Sequence, residues 1–347
     1  MTTTAAPPVR IVQQAAPVAV AVAPAEPARS ALRSRVWGWV RLAAGVGVLA
    51  VLVWRLGSGP FLDGLRGVDA TAIALAFGIG VLTTVACAYR WALVARGLGV
   101  AIPLREAVGA YYRAQFLNTT LPGGVVGDVH RAVRHGKDIG DVALGVRAVV
   151  VERTAGFVIT IVLSVVTLAV FPSPVRAHMP LAVGALAVGA LLVWLVKGRM
   201  HRLLGRTGIS DARTGLGVLL TTAVVLAGHL ITFLVAARTA GATAPLHLLA
   251  PLTLLALLAM ALPCNIAGWG PREGVAAWAF GAAGLTSGQG VATAVVFGVL
   301  ALVASLPGAV VLVLRWADRR RAARKPVMLE HELLDSGVHR RMGHGHG

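Results

Sequence analysis

Long apolar runs, separated by short segments that hold most of the charge, make up the greater part of the chain. A helix needs about 20 mostly apolar residues to cross the hydrocarbon core of a bilayer. Val36–Trp54, Ala70–Ala88, Gly156–Phe171, Leu181–Val196, Gly215–Ala237, Leu246–Leu262 and Val291–Leu314 reach or approach that length. They lack the period-2 alternation of a transmembrane barrel strand, so they predict helices. The expected fold is all-α, a polytopic transmembrane helical bundle of about seven or eight spans. It is assigned to residues 36–316, with a disordered tail over 1–35 and a basic cytoplasmic tail over 317–347.

Two interruptions stand out. Ala107–Leu121 is apolar but short, and it leads into Asn118-Thr119-Thr120-Leu121-Pro122-Gly123-Gly124-Val125-Val126-Gly127-Asp128, with His130 and Arg131 following. After Leu246–Leu262 comes Pro263-Cys264-Asn265-Ile266-Ala267-Gly268-Trp269-Gly270-Pro271-Arg272-Glu273-Gly274. Pro removes a backbone donor and Gly loosens a helix, so both predict helix breaks. Each has Leu-Pro, an Asn, spaced glycines, then a carboxylate and an arginine close together. Irregular backbone at membrane depth is tolerated only beside protein or a water-filled cavity. Paired interruptions in corresponding halves point to a transporter site, so a distant internal repeat, direct or inverted, is one reading. Ordinary interfacial turns are the other. Ala107–Leu121 and Val142–Val151 are each too short to span alone and are expected to form a dipping, re-entrant hairpin. Gly274–Leu285 is likewise short.

Composition sharpens this picture. Apolar residues make up 57% and charged residues only 13%, too few charges for a soluble domain of this length. The net charge of +18 raises a nucleic-acid reading, which its placement answers. With the N-terminus in the cytoplasm, that side collects Arg10, Arg29, Arg33 and Arg35, the basic residues between Arg90 and Arg153, the loop Lys197–Arg213 and the tail from Arg315. The other side holds Arg55, Arg66, Arg176 and Arg238. That asymmetry is the positive-inside pattern, and it predicts a multi-pass protein of the cell membrane with both termini cytoplasmic. No nucleic-acid partner is expected, since no binding fold is visible.

A charge at the centre of a membrane helix costs on the order of 2.5–3.5 kcal/mol on insertion scales. Asp128, Arg131, Glu152, Arg153, Arg272 and Glu273 therefore need a polar interior or an interface. Asp128 and Arg131, three apart, share a helix face. Helix N-termini after Gly-rich turns present free N–H groups to anions. The candidate lipid-headgroup site comprises Asn118, Gly123, Gly127, Asp128, Arg131, Glu152 and Arg153 from the first region, and Asn265, Gly268, Gly270, Arg272 and Glu273 from the second. Internal pairing that only stabilises the bundle is the competing account. His229, alone in an apolar run, reads as a packing residue. His331, His339, His344 and His346 lie in a Gly-containing tail without preorganised geometry, so no metal is expected. Cys87 and Cys264 read as unbridged thiols. No nucleophile elbow, zinc motif or Walker loop occurs, so neither an enzyme nor a cofactor is expected.

At these interruptions the sequence resembles the transmembrane region of lysylphosphatidylglycerol synthases, the flippase-like family. The resemblance is carried by Arg90-Trp91 with Leu93 and Gly97, Phe116-Leu117-Asn118, Pro122-Gly123, Gly127-Asp128 with Arg131, and Glu152-Arg153 with Gly156. Pro263 through Gly274 and Ser305-Leu306-Pro307-Gly308 complete it, over roughly residues 38–316. It implies a helical bundle that handles lipids, anionic or polyprenyl-linked. In the synthases this region is joined to an aminoacyl transferase, for which the residues after Leu314 are too few, so lysyl transfer is not expected. Three readings stay open: a lipid translocator, an accessory subunit for a membrane-associated glycosyltransferase or other lipid-modifying partner, and a lipid-modifying enzyme using Asp128 or Glu273.

Overall fold

Several helix starts have local causes. In the computed structural model, which describes residues 57–121, 124–170, 211–260 and 270–318 together with Ala50, Trp54, Arg320 and Arg321, the described residues are helical with short connections and no strands. A short helix α1 (Gly59–Arg66) precedes α2 (Ala70–Gly97). Asp69 caps α2 by accepting the Ala72 N–H at 2.7 Å. Then come α3 (Leu104–Thr120), α4 (Val126–Asp138) and α5 (Val142–Val170). Helix α6 (Ala212–Thr239) is capped by Asp211, which accepts the Thr214 N–H at 3.1 Å. It is followed by α7 (Leu246–Met260), α8 (Pro271–Ala282) and α9 (Ser287–Ser305), and after Leu306 the helix resumes over 307–318 as α10.

Among the described residues, four apolar helices, Ala70–Gly97, Val142–Leu168, Ala212–Thr239 and Ser287–Asp318, are long enough to cross a membrane. The molecule is a multi-pass membrane protein. The expected span Leu181–Val196 and nearly all of Val36–Trp54 lie outside the described residues, as do Pro122, Gly123, Asn265, Gly268 and Trp269. Sequence reading separated Val142–Val151 from the span at Gly156–Phe171. The structure corrects this, because one helix runs through both. Glu152 and Arg153 do not interrupt it, since each has opposite charges from other helices beside it.

Neighbouring contacts fix the directions. Helices α2 and α6 are antiparallel: Leu93 lies by Gly217, Arg90 by Thr222 and Thr83 by Gly228, while Ala76 joins Phe233 in one core. Helix α5 also runs antiparallel to α2, from Ala148 beside Ala95 to Gly156 beside Arg90. Helix α9 runs parallel to α2, with Ala294 near Ala72 and Ala304 against Gly80. One end of the bundle, the basic pole, therefore gathers the end of α2 and the starts of α5 and α6. The far pole gathers the end of α6 and the start of α9.

Between α2 and α5 the hairpin α3–α4 enters from the basic pole and returns to it, with Gly127 against Ala114 and Ala132 beside Ala107. Between α6 and α9 the hairpin α7–α8 does the same from the far pole, with Leu252 near Phe280 and Ala256 near Ala276. At about 1.5 Å per residue the described residues of each arm, Leu246–Met260 and Pro271–Ala282, fall short of a hydrocarbon core about 30 Å thick. The segments α2–α5 and α6–α9 thus form an inverted repeat.

The correspondence extends to single residues. Ala95-Arg96, Gly99 and Pro103-Leu104 match Ala237-Arg238, Gly241 and Pro245-Leu246. Gly99 (φ +88°) and Gly241 (φ +81°) take the same left-handed turn. The Val100 and Ala242 N–H groups close it on the Ala95 and Ala237 carbonyls, both at 2.9 Å. Gly136 and Gly145 let α4 touch α5, as Gly281 and Gly290 let α8 touch α9. Packing partners repeat too: α9–α10 lean on α3 as α5 leans on α7. Small residues fill these contacts, as expected where helices associate by close packing in lipid.

Candidate functional site

The α3–α4 hairpin builds the site from its tip. Asn118, in the last turn of α3, accepts the Gly127 N–H on Oδ1 at 2.7 Å and donates from Nδ2 to Asp128 at 2.9 Å. This bridges the break by satisfying one backbone donor of the new helix and orienting its first-turn carboxylate. Gly127 is required there by space, because a Cβ would run into the Ala114 carbonyl. Asp128 then receives Arg131 at 3.1 Å and Arg153 of α5 at 2.7 Å.

Glu152 of α5 is fully buried. Its Oε1 accepts Arg90 Nε at 2.9 Å, Arg90 Nη2 at 2.6 Å and the Tyr111 hydroxyl at 3.0 Å, and its Oε2 accepts Arg131 Nη2 at 3.0 Å. Arg90 also donates to Thr222 of α6 at 3.1 Å. Its guanidinium lies across Gly156, where a Cβ would sit 2.9 Å away. One carboxylate thus ties together α2, α3, α4 and α5, and Arg90 extends the tie to α6. Charge-assisted bonds of this kind offset the desolvation of a buried carboxylate.

Arg131 is 2% exposed and stacks near two rings, 4.2 Å from the Tyr111 centroid and 4.5 Å from that of Trp91. Its Nε and Nη1 are buried without a hydrogen-bond partner. Trp91 also meets His135 edge-on at 5.1 Å. Across the ion-paired set, three guanidinium groups (Arg90, Arg131, Arg153) face two carboxylates (Asp128, Glu152), leaving one positive charge in excess. Arg153 alone reaches outward, its side chain 45% exposed.

The second predicted group is built differently. Glu273, in the first turn of α8, accepts the Gly270 N–H at 2.6 Å and takes the Arg272 guanidinium on its other oxygen, from Nε at 2.9 Å and from Nη2. Gly270 (φ +110°) holds a backbone conformation that favours glycine. Arg272 lies 5.2 Å from the Phe297 ring centroid on α9. This pair is buried and neutral, and α8 packs on α7 and α9 rather than on α4. The structure therefore gathers Asn118, Gly127, Asp128, Arg131, Glu152 and Arg153 at one hairpin, and Gly270, Arg272 and Glu273 at the other. Gly123, Asn265 and Gly268 lie outside the described residues.

Sequence reasoning left Arg90, Tyr111 and Thr222 out of the site. Ending the second span at Ala88 put Arg90 in a loop, whereas α2 runs on to Gly97. An arginine inside an apolar helix was the available signal. The hydroxyls of Tyr111 and Thr222 carried none. Cys87 lies 3.9 Å from Arg90 Nη2, and His229 meets the Phe297 ring edge-on at 6.4 Å. Among the described residues no group of three His, Cys, Asp or Glu could hold a metal.

Fold and site together define a polytopic helical membrane protein whose inverted repeat carries a buried ionic network under one hairpin. The chain belongs to the family described as the lysylphosphatidylglycerol synthase TM region, whose model matches residues 38–308. No curated protein matches the chain.

Proposed function

We propose that the chain binds a lipid with an anionic headgroup, a phospholipid or a polyprenyl-linked lipid, and moves it across the cell membrane without changing it covalently. The observation that carries this reading is the network under the α3–α4 hairpin. It has one positive charge in excess, a half-exposed Arg153, and Arg131 donors buried without a hydrogen-bond partner. A phosphate oxygen would supply both the missing charge and the missing acceptors. A hairpin that turns back inside the membrane is the kind of irregular element that lines transporter sites. Membership in a family named for a lipid synthase's membrane region agrees with a lipid ligand.

Charge placement supports an orientation with the basic pole in the cytoplasm. Arg96, Arg105, Lys137, Arg147, Arg213 and Arg315 lie on the segments that meet there, against Arg66 and Arg238 at the far pole.

The test is lipid movement in proteoliposomes of the purified chain, read as chemical quenching of fluorescent phospholipids. Quenching should pass beyond the outer-leaflet fraction, and Arg153→Ala should slow it roughly tenfold, the effect of losing one charge-assisted contact of about 1.5 kcal/mol. An unchanged rate in both Arg153→Ala and Arg131→Ala would remove the site assignment. Quenching that stops at the outer leaflet for phospholipids and polyprenyl-linked lipids alike would favour an accessory subunit instead.

A further inference from the structure

The inverted repeat allows each residue of the charged site to be compared with its counterpart in the other half. Registers set by the matched turns and glycine contacts pair Arg90 with Thr232, Tyr111 with Thr253, Arg131 with Ala276, Glu152 with Phe297 and Arg153 with Gly298. Apart from the matched caps Asp69 and Asp211, one acidic position is common to both halves, Asp128 and its counterpart Glu273. Asp128 is shared among Asn118, Arg131 and Arg153 from three helices. Glu273 is closed by its own neighbour Arg272 and its own helix turn. Where Glu152 gathers two arginines, Phe297 stacks on Phe233 with centroids 4.6 Å apart. Thr232 and Thr253 return their hydroxyls to their own helices, at the Gly228 and Ala250 carbonyls.

We infer that the repeat keeps its headgroup chemistry in one half only, so that a single phosphate-bearing headgroup is taken at the α3–α4 hairpin while the α7–α8 hairpin is a neutral copy that binds none. This rests on the function proposed above and deepens it by giving the site a side. The hairpin that binds enters from the basic pole. Glu152 lies about 15 Å along α5 from its start there. A lipid therefore engages from the leaflet at the basic pole. On the far side, among the described residues, an equivalent headgroup would meet Phe297 and a carboxylate already paired with Arg272, an arrangement without excess charge. The asymmetry also fits the uneven chemistry of the repeat: identical pairs survive at the turns and glycine contacts that shape the bundle, and diverge at the positions of Arg90, Tyr111, Arg131, Glu152 and Arg153.

Photo-crosslinking distinguishes the outcomes. The full chain is placed in vesicles containing phosphatidylglycerol with a photoreactive headgroup, and labelled peptides are compared with those from a phosphatidylcholine probe reactive at the same place. The expected result is excess labelling by the anionic probe in α3–α5, reduced at least tenfold by Arg153→Ala and unchanged by Gly298→Ala. Equal excess at α7–α9 would overturn the inference and leave the anionic-lipid reading standing. No excess over the phosphatidylcholine probe at either hairpin would overturn both. Because Arg153 is half-exposed, its replacement should leave the fold intact, which the melting temperature in detergent checks.

Discussion

Glu152 shows how one side chain can hold a membrane bundle together and also prepare a site. Its two oxygens accept from Arg90, Tyr111 and Arg131, and it has no exposed surface. Removing its charge leaves Arg90 and Arg131 buried and short of a counter-ion, the situation that costs about 3–5 kcal/mol in soluble proteins. Glu152→Gln should therefore lower the melting temperature in detergent by many degrees. Arg153→Ala, on a half-exposed pair, should cost under about 1 kcal/mol and leave melting nearly unchanged. A Glu152→Gln protein that melts with the wild type would mean that the network is not what holds these helices together. This residue was legible in the sequence as an ionisable group in apolar surroundings. Its partners were not: Arg90 is 62 positions away from it, and nothing local to either predicts their meeting.

At the scale of elements, matching boundaries do the work. The two longest apolar helices of the described residues that start a half, α2 and α6, both begin after an aspartate cap and end in a glycine turn closed by the same bond pattern. Asp69→Ala and Asp211→Ala should each destabilise by about 1 kcal/mol, and together by about the sum, because the caps sit at opposite ends of an antiparallel pair. Chemical denaturation in mixed micelles reads this, and a double variant no worse than either single one would show that the two helix starts do not contribute independently. The two interruptions, each with Leu-Pro, an Asn and spaced glycines, suggested a repeat. The firmer signal, Ala-Arg, Gly and Pro-Leu at common spacing before each hairpin, was too sparse among permissive residues to stand out without the turns it forms. Glu152 and Arg153 led sequence reading to split α5, because a charged pair in an apolar run looks like a boundary until its counter-ions are in place.

For the whole molecule the consequence is a prediction about sides. Lys137 ends α4 at the basic pole, and Thr286 caps α9 at the far pole. In intact cells, judged against the background of Cys87 and Cys264, Thr286→Cys should react with a membrane-impermeant maleimide. Lys137→Cys should react only after permeabilisation. Labelling of both from outside would contradict the two hairpins entering from opposite faces, and reversal of the pattern would contradict the cytoplasmic assignment of the basic pole. The antiparallel arrangement of α2 and α6 at the centre is what makes one half an upside-down version of the other.

Helical character, membrane residence, the interruption between Thr120 and Val126 and the uneven sharing of basic charge were determined by the sequence itself. Each depends on quantities local to a stretch of chain: apolar length, backbone donors lost at Pro, conformational freedom at Gly, and a count of Lys and Arg between spans. Only the tertiary structure decided that Asp128, Arg131, Glu152 and Arg153 share a network with Arg90 and Tyr111, while Arg272 and Glu273 close on each other elsewhere. The reason is geometric. Which charges meet depends on the direction, rotation and closeness of helices far apart in the chain, and those are set by small residues packing across interfaces, such as Gly127 on Ala114 and Gly156 beneath Arg90.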